Sequence, residues 1–362
     1  MNPNPSRMPL IDTLKALASQ LIVLHHLSAY GPLSDAMGDM LPSLMEWFYD
    51  YGRMAVQVFL VIGGFLAARS LAPQGRAVFA EPVSLVWRRY LRLATPFVAA
   101  ILFAIICSAV ARAWMDDEAI PDKATLGQFL AHVLLLHSLL DFDALSAGVW
   151  YVAIDFQLFA LFAVTLWLAR SLGGRSQFNP APFLVAALAM LSLFHFNRDE
   201  SWDNWGLYFF GSYALGATAF WASDRQRSSA WLGAIWSIGL AALLVDFRLR
   251  IAIALAVALL LGFSRRSGLL EKWPEVRPIE FLGRISYSVF LVHFPIYLVV
   301  SALYDYSESE SASVAIAAML AAWATSIAAG YAFHQLVESR APSYWPSLIL
   351  RQGLRLVPRT WR

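Results

Sequence analysis

Stretches of about twenty mostly apolar residues recur ten times along this chain, at 10–30, 50–70, 95–113, 148–169, 181–197, 205–222, 230–246, 249–264, 284–304 and 313–337. A helix rising about 1.5 Å per residue needs about that length to cross the hydrocarbon of a bilayer. Inside lipid every backbone polar group must be satisfied within the segment, so helical runs of this kind leave an α-helical bundle as the fold. The balance of residues agrees, with 59% hydrophobic and 14% charged among 362, and a mean hydropathy of +0.57. Soluble domains carry about 25% charged residues. The expected fold is all-α, a polytopic transmembrane bundle. The first apolar segment holds Asp12 and Lys15 and lacks a small-residue cleavage site, so it reads as a retained helix and not a signal peptide.

Charge sets the expected topology. Lys and Arg concentrate in cytoplasmic loops. With the N-terminus inside, the inner connections hold Arg69, Arg76, Arg88, Arg89 and Arg92, then Arg170 and Arg175, then Arg225 and Arg227, then Arg265, Arg266, Lys272, Arg277 and Arg284. The outer loops hold Asp35, Asp39 and Glu46, then Asp116, Asp117, Glu118 and Asp122, then Asp199, Glu200 and Asp203, then Asp305, Glu308 and Glu310. This alternation holds only if segment 127–142, apolar but short, does not cross. It is expected as a re-entrant or external half-helix beside ten spanning helices, with both termini cytoplasmic. The loop DFRLR at 246–250 is the one misfit. The expected domains are a transmembrane unit over 1–338 and a basic cytoplasmic tail over 339–362. A net charge of +2 leaves no footprint for a nucleic-acid partner, and the single Cys107 forms no intramolecular disulfide.

Ionisable residues are costly within a bilayer and mark function by default. Lys15 and His26 lie within about 20° of one line on a helix, about 16 Å apart along its axis. Asp12, Ser19 and Ile22 share that face, while His25 points about 80° away. Asp12 and Lys15 are spaced to pair near the inner end. A neutral imidazole in the outer half can take a proton from a hydroxyl, which makes His26 a candidate general base, with a structural histidine as the alternative.

VWRRYLRLATP places Arg88, Arg89 and Arg92 within one turn on the inner side, and Pro96 marks a kink or a helix start. Guanidinium forks suit phosphate and pyrophosphate, so a cytosolic acyl-CoA is one ligand; a lipid-headgroup anchor is the other reading. In GVWYVAIDFQLF, Asp155 falls about two turns deep from the outside with Gln157 nearby, and it would either orient His26 or pair elsewhere. GRISYSVFLVHFPIYL holds Tyr287, Ser286 and His293, with Pro295 interrupting the run. Ser286 and His293 share a face, as a pocket wall or as packing. The glycines of VIGGFL at 61–66 allow close helix approach or line a tunnel. No metal spacing, nucleophile elbow or phosphate loop is present, so no metal and no permanently bound cofactor are expected.

Six segments, in order, resemble the acyltransferase-3 family of bacterial integral membrane acyltransferases, from about Leu10 to Glu338. IDTLKALASQLIVLHH resembles LDGLRGLAALLVVLYH, with Lys15 and His26 on its Arg-x10-His motif. VQVFLVIGGFLAARS resembles the segment ending in FFVLSGFLI. RRYLRLATP is similar to R-x-x-R-L/I-x-P, placing Arg89 and Arg92 on its arginines. VWYVAIDFQLF, which begins its helix at Trp150, resembles WSLSVEEQFYL with Asp155 on the first Glu. LGRISYSVFLVHFPI is similar to LGxISYSLYLLHFPV, and FHQLVES resembles YRxIEKP with Glu338 on its Glu. This chain departs from the pattern at Lys15 for Arg, Gly63 for Ser and Asp155 for Glu.

The resemblance implies an O-acyltransferase of the bacterial inner membrane that moves an acyl group, commonly acetyl from acetyl-CoA, to a hydroxyl of an extracytoplasmic glycan. It also implies the stand-alone type, without a fused esterase-like domain. On that reading His26 and Asp155 are catalytic, and Lys15, Arg88, Arg89 and Arg92 hold the acyl-CoA. Asp12, Trp150, Gln157, Tyr287 and His293 line or support the site, with Tyr287 or Gln157 facing the oxyanion. Membrane lipid and the glycan are the expected partners, and a second copy of the chain is a possible one. The rival is a transporter or flippase of an acylated precursor, which would form no ester.

Overall fold

The computed structural model describes residues 8–173, 179–224, 226 and 230–344. Each of the ten apolar runs is a helix: α1 (Pro9–Leu27), α4 (Val56–Leu71), α5 (Pro82–Ala111), α7 (Trp150–Gly173), α8 (Ala181–Phe194), α9 (Gly206–Ala222), α10 (Ala230–Val245), α11 (Leu249–Ser267), α13 (Arg277–Tyr306) and α14 (Ala312–Leu336). Between them lie the shorter α2 (Gly31–Met40), α3 (Pro42–Gly52), α6 (Leu126–Val133) and α12 (Leu269–Lys272). Among the described residues, six helical stretches are long and apolar enough to cross a membrane, the longest being Pro42–Leu71, Pro82–Ala111, Arg277–Tyr306 and Ala312–Ala341. The other four expected spans are helices of 16 to 19 residues, and α9 is buried nearly all round, a central helix wrapped by its neighbours.

Two helices begin earlier than their apolar runs. α5 starts at Pro82, so the arginine cluster is helical, and Pro96 sits inside the helix and does not begin it. α13 likewise runs from Arg277 through Pro295. Prolines 82 and 278 stand in the first turns, where a missing N–H costs nothing. α3 continues through a single 3-10 turn into α4, which carries that helix beyond the expected outer boundary at residue 50.

Segment 127–142 turns back on itself. α6 is eight residues long, opened by a Thr125–Gln128 capping box. Leu135 and Asp141 take positive φ values of 58° and 57°. The chain then returns beside its own path: Gln128 Nε2 donates to the Asp143 carbonyl at 2.9 Å, and Leu145 N–H donates to His132 Nε2 at 3.2 Å. Tyr90 on α5 donates to the Val133 carbonyl at 3.0 Å, which pins the tip to the flank of α5.

The loop ends sort as the charge pattern requires. At one end Arg170 donates to the Phe79 carbonyl, Asn179 to Gly75, Trp221 to Ala72 and Arg265 to Phe220, at 2.7–2.9 Å. These loops carry the basic residues. Arg175, Arg225, Arg227 and the tail from 345 onward lie outside the described residues. At the other end Leu33 N–H meets Ser301, and Gly206 N–H meets Gln157. The misfit arginines of DFRLR are consumed there by structure. Arg248 bonds Asn197 Oδ1 at 2.7 Å and the Leu193 carbonyl at 2.9 Å, and Arg250 bonds the Asn197 carbonyl at 2.7 Å.

The bundle is tightest where small residues meet. A Cβ on Gly64 would fall 1.8 Å from the Tyr213 carbonyl oxygen, and one on Gly216 1.9 Å from that of Val61. Close approach of α4 and α9 is thus the use of Gly64 in the VIGGFL run.

Candidate active site

Three layers of polar side chains run through the bundle, beginning at the C-terminal turn of α1. His26, 7% exposed, places Nδ1 2.9 Å from Nε2 of His293 on α13. His293 Nδ1 lies 3.1 and 2.8 Å from the carbonyls of Val289 and Phe290, one turn back on its own helix. A carbonyl only accepts, so the His293 proton is on Nδ1 and its Nε2 carries the lone pair. His26 therefore donates from Nδ1, and its Nε2 is left as an acceptor. The Ile22 carbonyl, one turn back on α1, also lies within hydrogen-bonding reach of the ring. Tyr30 stacks on the His26 ring at 6.0 Å. Gly148, at φ +80°, brings its backbone against the other side: a Cβ there would meet His26 Cε1 at 3.2 Å and Phe290 at 3.3 Å. Only glycine fits both the left-handed turn and that contact. The neighbouring His25 faces away, its Nδ1 3.3 Å from the Phe48 carbonyl on α3.

The middle layer is an ion pair. Arg89 of α5 and Asp155 of α7 form a close salt bridge, with the guanidinium 5.4 Å from the centre of the Phe159 ring. The Arg89 Nε–H is buried without a partner among the described residues. Tyr151, Tyr213 and Tyr287 all lie within electrostatic reach of the pair. Gly63 opens toward it: a Cβ would lie 3.2 Å from the Tyr213 ring and 3.8 Å from Asp155 Oδ1.

The basic end holds the third layer. Lys15 sits among the charges of Asp12, Arg92 and Glu338. Glu338 accepts from Ser288 Oγ at 2.5 Å and pairs with His334 at 3.0 Å. Arg88 is half-buried and Arg92 exposed. Tyr287 donates to the Leu93 carbonyl at 3.4 Å, tying α13 to α5 between the middle and lower layers.

Two expected partnerships differ. Asp155 pairs with Arg89, the second of the two pairings open to it, and the imidazole of His26 donates its hydrogen bond to His293 instead of meeting a carboxylate. Gln157 is committed to the turn before α9, accepting from Gly206 N–H at 2.8 Å and donating to the Asn204 carbonyl at 3.3 Å. Its amide is thus spent on a helix start rather than on the reacting centre. Trp150 stacks on Phe209 at 5.6 Å. Tyr151 and Tyr213 were missed in sequence. Tyr151 could have been found as the neighbour of Trp150 in its motif, whereas Tyr213 carries no local signal.

A bundle of apolar helices enclosing histidines, an ion pair and a basic lower layer defines a polytopic membrane protein with an internal chemical site. Over residues 9–334 the chain matches the Acyltransferase domain family, acyltransferase-3, and it belongs to that family. It is a membrane acyltransferase. Comparison with curated proteins and with solved structures yields no match.

Proposed function

We propose that this chain transfers an acyl group, acetyl in the first instance, from cytosolic acyl-CoA to a hydroxyl of an extracytoplasmic glycan such as a cell-surface polysaccharide or exopolysaccharide. It works in a bacterial inner membrane with both termini cytoplasmic. The observation that carries this reading is the His293–His26 hydrogen bond, which leaves a lone pair on His26 Nε2 in a nearly closed site. A base held in one tautomer by a second residue is the arrangement general-base chemistry requires.

The donor binds from the basic end. Arg88, Arg92 and Lys15 face its phosphates, where fork-shaped and point cations meet anionic oxygens. Arg89, held by Asp155, has one N–H left for a donor oxygen. A buried unpartnered donor is a strong place for a ligand acceptor. The acceptor hydroxyl arrives from the other end and gives its proton to His26 Nε2. Its oxygen bonds to the acyl carbon, the carbon–sulfur bond breaks, and the CoA thiolate leaves and takes up a proton. Asp155 acts on Arg89 in this scheme, and Tyr287 is a hydroxyl within electrostatic reach of both the ion pair and the lower-layer charges of Glu338 and Arg92.

The test is CoA release by purified protein supplied with acetyl-CoA and cell-surface glycan, followed by mass spectrometry of the glycan. Ester formation that vanishes in His26→Ala supports the reading. Unchanged transfer by His26→Ala refutes the general-base role, and movement of glycan without a new ester refutes the reaction.

A further inference from the structure

Segment 126–148 takes no part in the scheme above, yet it builds one wall of the base. His132 on α6 is fully buried. Its Nδ1 lies 2.8 Å from the Gln128 carbonyl, one turn back on its own helix. A carbonyl only accepts, so the proton is on Nδ1 and Nε2 carries the lone pair. That lone pair accepts the Leu145 N–H at 3.2 Å. Both nitrogens are thereby spent, which makes His132 a neutral bracket and not a free base. Gln128 brackets the same loop at the Asp143 carbonyl, at 2.9 Å, and Tyr90 of α5 anchors α6 itself through the Val133 carbonyl, at 3.0 Å. Leu145 is 2% exposed, so without His132 its N–H has no water at hand, and the loop must shift to satisfy it.

Three residues beyond Leu145 the loop reaches Gly148. There it turns left-handed against His26 Cε1 and enters α7, with the Tyr151 N–H donating to the Gly148 carbonyl at 3.0 Å. Cε1 is the carbon between the two ring nitrogens, so the contact lies beside the lone pair that reacts. The His293 bond fixes one point of the His26 ring, at Nδ1, and the Gly148 contact fixes how the ring is turned about that point. On His132 itself lies a second ring. His137, 1% exposed, stacks on it at 4.1 Å and 7°, with Phe97 of α5 6.3 Å from His137. Both His137 nitrogens are buried without a partner among the described residues, a costly arrangement for a side chain whose contact is a flat cover over the bracket.

We propose that His132 is a positioning residue: through the Leu145 N–H it sets where Gly148 stands, and so the orientation in which His26 Nε2 meets the acceptor hydroxyl. The assignment rests on the acyltransferase reading above for its effect on rate, but not for its effect on the loop. A misplacement of about 1 Å at a reacting group costs about a hundredfold in rate. The loss falls on kcat, because the orientation of the base counts in the transition state, while the proposed donor residues lie toward the other end of α1.

Two substitutions of similar size separate the bracket from plain packing. Glutamine at 132 brings its amide oxygen near the position of Nε2 and keeps the Leu145 bond. Asparagine brings its amide near the position of Nδ1 and keeps only the Gln128 contact. His132→Gln should hold kcat within about threefold of wild type, and His132→Asn should lower it about 10- to 100-fold, with KM for acetyl-CoA unchanged in both. His137→Phe keeps the ring stack and should leave kcat unchanged. Backbone hydrogen exchange over 143–148, read by mass spectrometry with fragmentation on the full chain in lipid nanodiscs, reports the loop apart from turnover. Exchange at Leu145 should quicken at least about tenfold in His132→Asn and stay slow in His132→Gln. Equal kcat in the glutamine and asparagine variants, or Leu145 exchange unaltered by His132→Asn, overturns the proposal. Should His132→Asn fail to fold, Gly148→Ala decides: its Cβ would press on His26 Cε1 with the bracket intact, and kcat should fall at least about tenfold, whereas wild-type kcat breaks the link from loop to base. Failure of the acyltransferase reading shows separately, as a wild-type chain that forms no ester while Leu145 exchange still follows the residue at 132.

Discussion

Replacing His293 with phenylalanine tests the site most directly. Phenylalanine keeps a ring against Phe290 and His26 but deletes the acceptor that fixes the His26 tautomer. A neutral buried hydrogen bond contributes about 1 kcal/mol net, and leaving the His26 Nδ1–H unpaired costs about 1–3 kcal/mol. Spent on the tautomer equilibrium, about 1.4–3 kcal/mol shifts the competent form about 10- to 150-fold toward the wrong one. kcat should fall by that factor, less than the about 10²–10⁴-fold expected of His26→Ala. KM for acetyl-CoA should not move, because the proposed donor residues lie at the other end of α1, about 16 Å along its axis. His293→Gln should recover most of the rate, since its amide oxygen reaches near the position of Nε2. The double variant His26→Ala with His293→Phe should be no slower than His26→Ala. The assay is steady-state CoA release with the acceptor identified by mass spectrometry, alongside thermal unfolding in detergent. A folded His293→Phe protein with wild-type kcat would refute the tautomer argument.

Three further outcomes are expected. Asp155→Asn should destabilise the protein by about 1–3 kcal/mol, because it leaves the partly buried Arg89 guanidinium, 29% exposed, without its counter-charge; a wild-type midpoint in thermal unfolding would count against the pairing. Gly64→Val should abolish folded protein in detergent gel filtration, since its Cβ overlaps the Tyr213 carbonyl at 1.8 Å, whereas Gly38→Ala, with nothing within 4 Å, should be neutral. Asp35 has its pKa raised in the folded state, so its charge opposes folding above that pKa and the penalty disappears as pH falls through it. Asp35→Asn should therefore raise the unfolding temperature slightly at neutral pH and not at acidic pH, and a fall at neutral pH would contradict the sign.

Much of the fold was legible because a membrane helix is a local object. Its backbone bonds close within one segment, so length and hydropathy mark it without knowledge of its neighbours. Charge alternation correctly held segment 127–142 apart as a half-helix, and capping by Thr125 and Gln128 is likewise a local signal. Helical phase also separated His26 from His25: one turns to α13 and the other to the Phe48 carbonyl. Helix starts were less legible, because the opening stretches of α5 and α13 contain a proline in the first turn and charged residues such as Arg88, Arg89, Arg277 and Glu280, so hydropathy places them in a loop.

By itself, then, the sequence determined an all-helical membrane bundle, the order of its segments, and one stripe on α1 carrying Lys15 and His26. The tertiary structure alone decided which side chains meet. His293 lies 267 positions from His26, and Asp155 lies 66 from Arg89. Such partners depend on the rotation and depth at which separate helices pack, and those are set by close contacts such as Gly64 against the Tyr213 carbonyl rather than by any periodicity along the chain. A histidine in an apolar run shows that a partner is needed; only the packing of α1 on α13 shows that the partner is another histidine, and which nitrogen is left to react.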